Sequence, residues 1–392
     1  MERNKSFLSI LRFTAIFLML LPTIFSDAAA GEEIQGQVKF VFKLEYQSHG
    51  FDTAIDMREL PREKTFEKEP SFEGSDIYRG QLQTGTEEED YTGFIRDKRA
   101  GKIYLDLNHN RDLTDDPDGI LTSESRGQDQ YFTNSSVDMQ FGSVAVSFMV
   151  NITMYDFKPP VCYFTVRSGF KGTIELYGKQ WQMGVADNMN GKLNRSDSLY
   201  LLPIGADFDL MTTTAQLSFP ETIFLDGRSY NLSFEYKGGD SKPLLEVTFT
   251  ETTRPMGQLN IEGKFIKYLA AAGDSLSSLA VFDSPEKTIS IPVGNYHIRK
   301  IFLDGGAAGL FQAQTITSLN IKEGEITELK AGAPLNHSVN LSRTGNIFKL
   351  NYELLDTGGI SYAALRIRPD VPPTVTVYKG NKIIASGKFE YG

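Results

Sequence analysis

One cysteine, one tryptophan and four histidines are all that 392 residues contain of the side chains that most often build redox, stacking or zinc sites. Cys162 stands alone in the apolar run VCYFTV, so no internal disulfide can form and stability must come from apolar cores, with or without bound metal. The cysteine itself reads as a small buried hydrophobe in a strand. His49, His109, His297 and His337 lie far apart, none with a partner at metal-ligand spacing, which argues against zinc. No G-x-S-x-G elbow, P-loop or dinucleotide glycine fingerprint occurs. Long amphipathic helices are scarce too. Only 264–272 and 206–217 have helical character.

Positive charge is also in short supply, with 40 Lys and Arg against 50 Asp and Glu and a net charge of −10. That excess argues against nucleic acid or an anionic membrane as partner and suits divalent cations. The first thirty residues read as a secretory signal. Arg3, Lys5 and Arg12 make the basic region, 13–25 the apolar stretch, and Ala28-Ala29-Ala30 a cleavage site before Gly31. The apolar stretch is too short for a comfortable span, and no later segment reaches spanning length. The expectation is a secreted or periplasmic chain with no membrane insertion after signal removal.

What fills the rest is period-two alternation. Val38, Phe40, Phe42, Leu44 and Tyr46 alternate with largely polar partners, as do Val144 to Met154, Tyr230 to Tyr236 and Leu245 to Phe249. Such runs bury one face of a sheet. The expected class is all-β and multidomain, built of antiparallel β-sandwich units with a loop-bearing N-terminal region. The expected divisions are 1–30 (signal), 31–252, 255–330 and 331–392, with the Thr252-Thr253-Arg254-Pro255 break between the second and third. Gly380-Asn381 suits a two-residue hairpin loop near the end.

Chemistry is concentrated in IYLDLNHNRDLTDDPDG, 103–119. Asp106, Asn108, Asn110 and Asp112 fall on alternate positions, followed by Thr114, Asp115, Asp116 and Asp118. Hard oxygen donors spaced two apart let a curled loop aim successive side chains at one point, which is how Ca²⁺ collects six to eight oxygens at about 2.3–2.6 Å. The loop resembles the calcium loop of EF-hand and dockerin modules over about a dozen residues. In that register Asp106, Asn108 and Asn110 are positions one, three and five. Asp112 gives its carbonyl at seven, Leu113 is the inward apolar residue at eight, and Thr114 stands at nine. Arg111 replaces the glycine of the sharp turn. Pro117 replaces the bidentate acid, so Asp115, Asp116 or Asp118 must serve instead. The competing reading is an Asx-rich turn with no ion.

A second loop, VADNMNGKLNRSDSL at 185–199, repeats the pattern incompletely. With Asn190-Gly191 at five and six, Asn188 falls at three, Leu193 at eight, Asn194 at nine and Asp197 at twelve, while Ala186 holds position one and Asp187 is displaced by a residue. It reads as a second Ca²⁺ site or as an Asn-Gly turn that needs no ion.

Two further likenesses bear on fold and role. KTISIPVGNYHI, 287–298, resembles the last hairpin of transthyretin-like and carboxypeptidase-regulatory-like sandwiches over 255–330, in which the tyrosine packs back on the core. LLDTGG, 354–359, resembles half of an aspartic-protease motif, but those enzymes pair two aspartates and no second copy exists, so a glycine-rich turn is expected. The whole layout resembles secreted β-rich proteins of environmental bacteria that share the D-x-N-x-N-x-D-L-T-D-D loop, the D-N-x-N-G-K loop and a terminal G-K-F-E-Y-G. The resemblance implies export and calcium, and it implies no activity. Two roles follow as expectations. The first is a calcium-stabilised, non-enzymatic protein of binding, adhesion or surface assembly, with an extracellular protein or glycan as partner. The second is glycan binding or processing, although Trp181 reads as core and no tyrosine cluster is visible in the sequence.

Overall fold

The computed structural model describes residues 33–34, 36–51, 58–59, 66–72, 76–83, 91–125, 129–141, 144–156, 161–187, 193, 197–205, 217–238, 243–305, 310–313, 317–345, 347–364 and 374–388. These are almost wholly β, arranged in several mostly antiparallel sheets, with one 3-10 turn at Pro117–Gly119. Among the described residues no helix is long and apolar enough to cross a membrane. The signal-like segment lies outside the described residues.

The spine of the largest sheet is the strand Gln37–Phe51, paired antiparallel with Val161–Leu176 on one side and Leu244–Thr252 on the other. Val161–Leu176 is long enough to serve other neighbours at its two ends: first Val144–Tyr155, then Lys179–Ala186. Leu244–Thr252 leads through Arg228–Lys237 to Thr222–Leu225, which pairs in parallel with Ser278–Asp283. A twisted antiparallel sheet this wide curls on itself. The curl encloses a core of Phe42, Phe164, Phe170, Trp181, Leu201 and Phe249. Cys162 lies in that core, and burial pushes its thiol above the usual range. Trp181 is fully buried, its Nε1 donating to Asp226 Oδ2 at 2.6 Å and its ring 4.9 Å from the Lys179 ammonium.

A five-stranded sheet of Arg58–Glu59, Ile77–Gln83, Tyr91–Asp97, Lys102–Leu105 and Ile120–Thr122 packs on this core. One face gives Leu82, Phe94, Ile103 and Leu105 to it. The other gives Ile95 and Tyr104 to a small cluster with Leu113, Phe66 and Phe72. Covered on both sides, the sheet is a rigid base for what rises from its edge.

Beyond residue 255, Thr288–Pro292, Met256–Ile261 and Ile326–Leu329 form a three-stranded layer. Leu259 and Ile291 from that layer meet Leu269, Tyr296, Ile298 and Ile301 in a second core. Tyr296 does pack inward, but Thr288–Pro292 and Gly294–Asp304 lie in different sheets and do not pair as a hairpin. Strands on either side of the 252–255 break are joined by the parallel ladder of Thr222–Leu225 with Ser278–Asp283.

The helical expectation for 264–272 is wrong. Ile266–Gly273 is a strand between Ser278–Asp283 and Gly294–Asp304. Its alanines face both ways, Ala270 and Ala272 into the large core and Ala271 into the second. A strand buried on both faces loses its alternation, and small residues let two layers approach it closely. The other helical stretch, 206–217, falls outside the described residues apart from Leu217, which is in a short strand. Lys379 and Lys382 pair across Gly380-Asn381, with Gly380 at φ +64°, as the turn chemistry requires.

Candidate metal centre

The strand Lys102–Leu105 ends by delivering Asp106 into the protein, 1 % exposed, with its N–H donating to Gly93 O at 2.8 Å. A side chain at Gly93 would run into the Phe66 ring, so glycine there lets the loop base close. The chain returns at Ile120–Thr122, which pairs with Lys102–Tyr104. Residues 106–119 therefore span the two strands of a hairpin, with no flanking helices. The register leaves the loop little freedom at its closing end: a Cβ on Gly119 would sit 2.4 Å from Leu105 O.

Within the loop three short polar side chains fold onto the backbone two residues on. Asn108 Oδ1 accepts from Asn110 N at 3.0 Å, Asn110 Oδ1 from Asp112 N at 2.7 Å, and Asp112 Oδ1 from Thr114 N at 3.0 Å. This is the Asx habit that makes Asp and Asn turn-formers. The curl needs left-handed backbone at His109 (φ +60°) and Arg111 (φ +66°). Arg111 thus takes the turn that the resemblance assigns to glycine, at a cost of about 1–2 kcal/mol for a residue with a Cβ. The curl also points backbone N–H groups inward at Asp106, whose Oδ1 and Oδ2 accept from Asn110 N and Arg111 N, each at 3.1 Å.

The candidate ligands do not all face one point. Asp106 and Asp116 are both buried, 1 % and 7 % exposed, and the charge of Asp106 raises the Asp116 pKa. Burial is the larger cause of that rise, and Asp115 adds to it. Burial likewise pushes the Asp106 carboxyl up, against the pull of the backbone donors. The backbone N–H groups of Leu107 and Asn108 donate to Asp116, yet its Oδ2 is buried and accepts no hydrogen bond. Asp115 is exposed and accepts the side-chain amides of Asn108 at 3.2 Å and Asn110 at 2.8 Å.

Three residues turn elsewhere. Asp112 pairs with Lys68, which holds its carboxyl at about 2. Its carbonyl, the group the register assigns to it, accepts from Asp115 N at 3.4 Å. Thr114 donates its hydroxyl to Asp112 and is exposed. Asp118 is exposed in the Pro117–Gly119 turn. Among the three acids left open by the sequence, Asp116 is the buried one and feels the charge of Asp106, while Asp115 and Asp118 are exposed. Leu113 is buried at 1 % in the small cluster, the inward apolar position of the register.

Of the neighbouring cations, Lys68 pairs with Asp112, and the Arg111 guanidinium lies 3.9 Å from Glu67. Among the described residues no three His, Cys, Asp or Glu side chains gather at metal-binding spacing. The loop instead offers two buried carboxylates, Asp106 and Asp116, beside an exposed third, Asp115, that the Asn108 and Asn110 amides reach.

Of the second loop, Asn188, Asn190 and Asn194 lie outside the described residues. Its two ends are informative. Asp187 and Asp197 are buried at 0 % and 3 %, and Tyr236 OH donates to Asp187 Oδ2 at 2.8 Å. Burial, then the charge of Asp187 and more weakly that of Asp197, pushes the Tyr236 phenol well up. Leu193 packs against the large core. The sequence register passed over Asp187 because it falls one residue late, and it gave no signal for Tyr236, which comes from a strand 49 positions away.

The protease-like Asp356 is saturated. Its Oδ1 accepts from Gly358 N and Ile360 N, and its Oδ2 from Gly332 N and Tyr362 OH, at 2.9–3.1 Å. It organises a turn. Comparison with known proteins finds no matching family model, no matching curated protein and no matching solved structure.

Proposed function

We propose that residues 106–118 bind Ca²⁺ in an exported β-protein whose role is binding or surface assembly and not catalysis. One observation carries the reading: Asp116 Oδ2, buried beside Asp106, has no donor although two carboxylates are shut in there. A buried carboxylate oxygen without a donor is costly, and two mutually repelling ones more so. A hard divalent cation relieves both costs at once. Asp106 and Asp116 would hold the ion, with Asp115, Asn108, Asn110 and the Asp112 carbonyl as further oxygen donors. An all-oxygen set of amides, carbonyls and carboxylates suits Ca²⁺ and not Zn²⁺, which takes imidazole and thiolate. Asp187 and Asp197 are candidates for a second, weaker cation.

The signal-like N-terminus and the lone buried cysteine support a periplasmic or extracellular setting. With no disulfide to constrain the chain, a bound ion would supply the cross-link that ties the loop to its sheet. The test is isothermal titration calorimetry of EDTA-stripped mature protein. Calcium should bind saturably, and magnesium poorly, because it demands tight octahedral geometry and keeps its waters. A flat calcium titration would overturn the reading.

A further inference from the structure

The sheet Gln130–Phe141, Val144–Tyr155 and Val161–Leu176 has a buried face and a free one. Phe132, Ile152, Met154, Cys162 and Phe164 point into the large core, each at most 2 % exposed. On the outer face the register sets Tyr131, Thr153 and Tyr163 in a single row across the three strands. Tyr131 is 40 % and Tyr163 38 % exposed. Two strand spacings separate them, about 10 Å. Tyr155 follows Thr153 on the same face, and its ring meets that of Tyr163 edge to face, centroids 5.5 Å apart at 80°. Asn151 and Thr165 pair on the next step of the ladder.

No outward position in 131–133, 151–155 or 163–165 is charged, in a chain with a net charge of −10. The bordering acids are engaged: Asp156 is 2.7 Å from Lys98 Nζ, and Glu124 accepts from Thr133. This patch of aromatic rings interleaved with hydroxyls and an amide is itself uncharged, with Arg167 stacked over Tyr46 and Asp138 bonded by Ser147 farther along the same face, and it matches an uncharged, hydroxyl-rich polymer. Tyrosine supplies large, rigid contact area with a polar tip at little entropic cost. The rings stand on strands locked by the core below, which holds their spacing.

We propose that this face binds a neutral polysaccharide, its sugar rings stacking on Tyr131 and Tyr163 while Thr153, Asn151 and Thr165 meet the hydroxyls. The site lies on different strands from the calcium loop and does not depend on it.

Affinity electrophoresis of the mature protein tests this, in gels containing hydroxyethylcellulose, glucomannan or arabinoxylan, with alginate as the acidic control, each with and without calcium. At least one neutral polymer should retard the protein in both buffers. The double variant Tyr131→Ala/Tyr163→Ala should be retarded about tenfold less or more weakly still, while Tyr163→Phe keeps most of the effect, because the ring and not the hydroxyl makes the platform. Both variants change exposed positions, and unchanged circular dichroism would confirm their folding. Absence of retardation in every neutral gel, retardation by alginate alone, or a double variant that runs like the wild type would each overturn the proposal. Failure of the calcium reading would leave these outcomes unaltered.

Discussion

Lys68 is fastened to Asp112 twice, by a parallel backbone bridge and by an ion pair between their side chains. The bridge includes Leu113 N donating to Lys68 O at 3.1 Å, and next to it Glu67 N donates to Arg111 O at 2.8 Å. The 66–72 segment therefore lies along the outer side of the loop and closes the small cluster around Leu113. The backbone and Leu113 do most of this fastening, since the Lys68 side chain is 69 % exposed.

Leu113→Ala should accordingly destabilise the protein by about 2–5 kcal/mol, the usual result of emptying a packed site. Lys68→Ala should shift the urea midpoint far less. Equilibrium unfolding checks both, and equal effects would contradict the ranking.

Calcium should raise the melting temperature and EDTA lower it, because a ligand that binds only the folded state adds about 2.7 kcal/mol at a hundredfold excess over Kd. Asp116→Asn should abolish the calcium shift and yet melt higher than wild type in EDTA, since it removes a buried charge that the Leu107 and Asn108 N–H groups offset only in part. Asp118→Asn should leave both curves unchanged. Differential scanning fluorimetry separates these outcomes, and an Asp118 variant that loses the shift would move the site.

Gly119→Ala should destabilise the protein by about 1–3 kcal/mol and weaken calcium binding together, because the added methyl meets the main chain of Leu105, which cannot swing aside. Gly178→Ala is the contrast: nothing lies within 4 Å of its Cβ, and only the left-handed backbone (φ +76°) opposes it. Calorimetric titration of the two proteins should show weakened calcium binding in the first alone.

Tyr177 OH and Arg228 Nη1 each donate to Glu251 at 2.6 Å, and these bonds hold its carboxyl below its usual 4.5. A depressed folded-state value gives stability that is full above the unfolded pKa and fades as pH drops through the folded one. Glu251→Gln should therefore lower the melting temperature at pH 7 by no more than about 3 °C, since the pair is surface-exposed. The gap to wild type should close as the pH falls below 4.5. A gap that widens in acid would refute the assignment.

Asp356→Ala should leave the buried N–H of Ile360 without its acceptor and that of Gly332 with the Tyr362 hydroxyl at 3.2 Å alone, a loss of about 1–3 kcal/mol. Limited proteolysis should then cut the 331–364 region sooner than in wild type.

The fold class was legible wherever one face of a strand meets water. Val144 to Met154 alternates cleanly because its odd partners are solvent-facing, and Cys162 and Trp181 were correctly read as core. Legibility failed where both faces are buried: Ile266–Gly273 carries no alternation, and its alanines mimic a helix former. The curled path of 106–112 could be read from residue types alone, because Asx turns are local. That Asp116, and not Asp115 or Asp118, is the buried acid could not, since it depends on the path of the chain into the Pro117–Gly119 turn. The row of Tyr131, Thr153 and Tyr163 depends on strand register across three segments, which no single segment encodes.

The lone indole of Trp181 has an optical consequence. Sealed in the large core with its N–H held by Asp226, it should emit at short wavelength, and the emission should move to the red when that core opens to water. If the loop holds calcium as proposed, a lanthanide in its place should be excited through Tyr104, two residues before Asp106 in the chain. Two colours of light would then follow one sample, one reporting the interior and the other the loop.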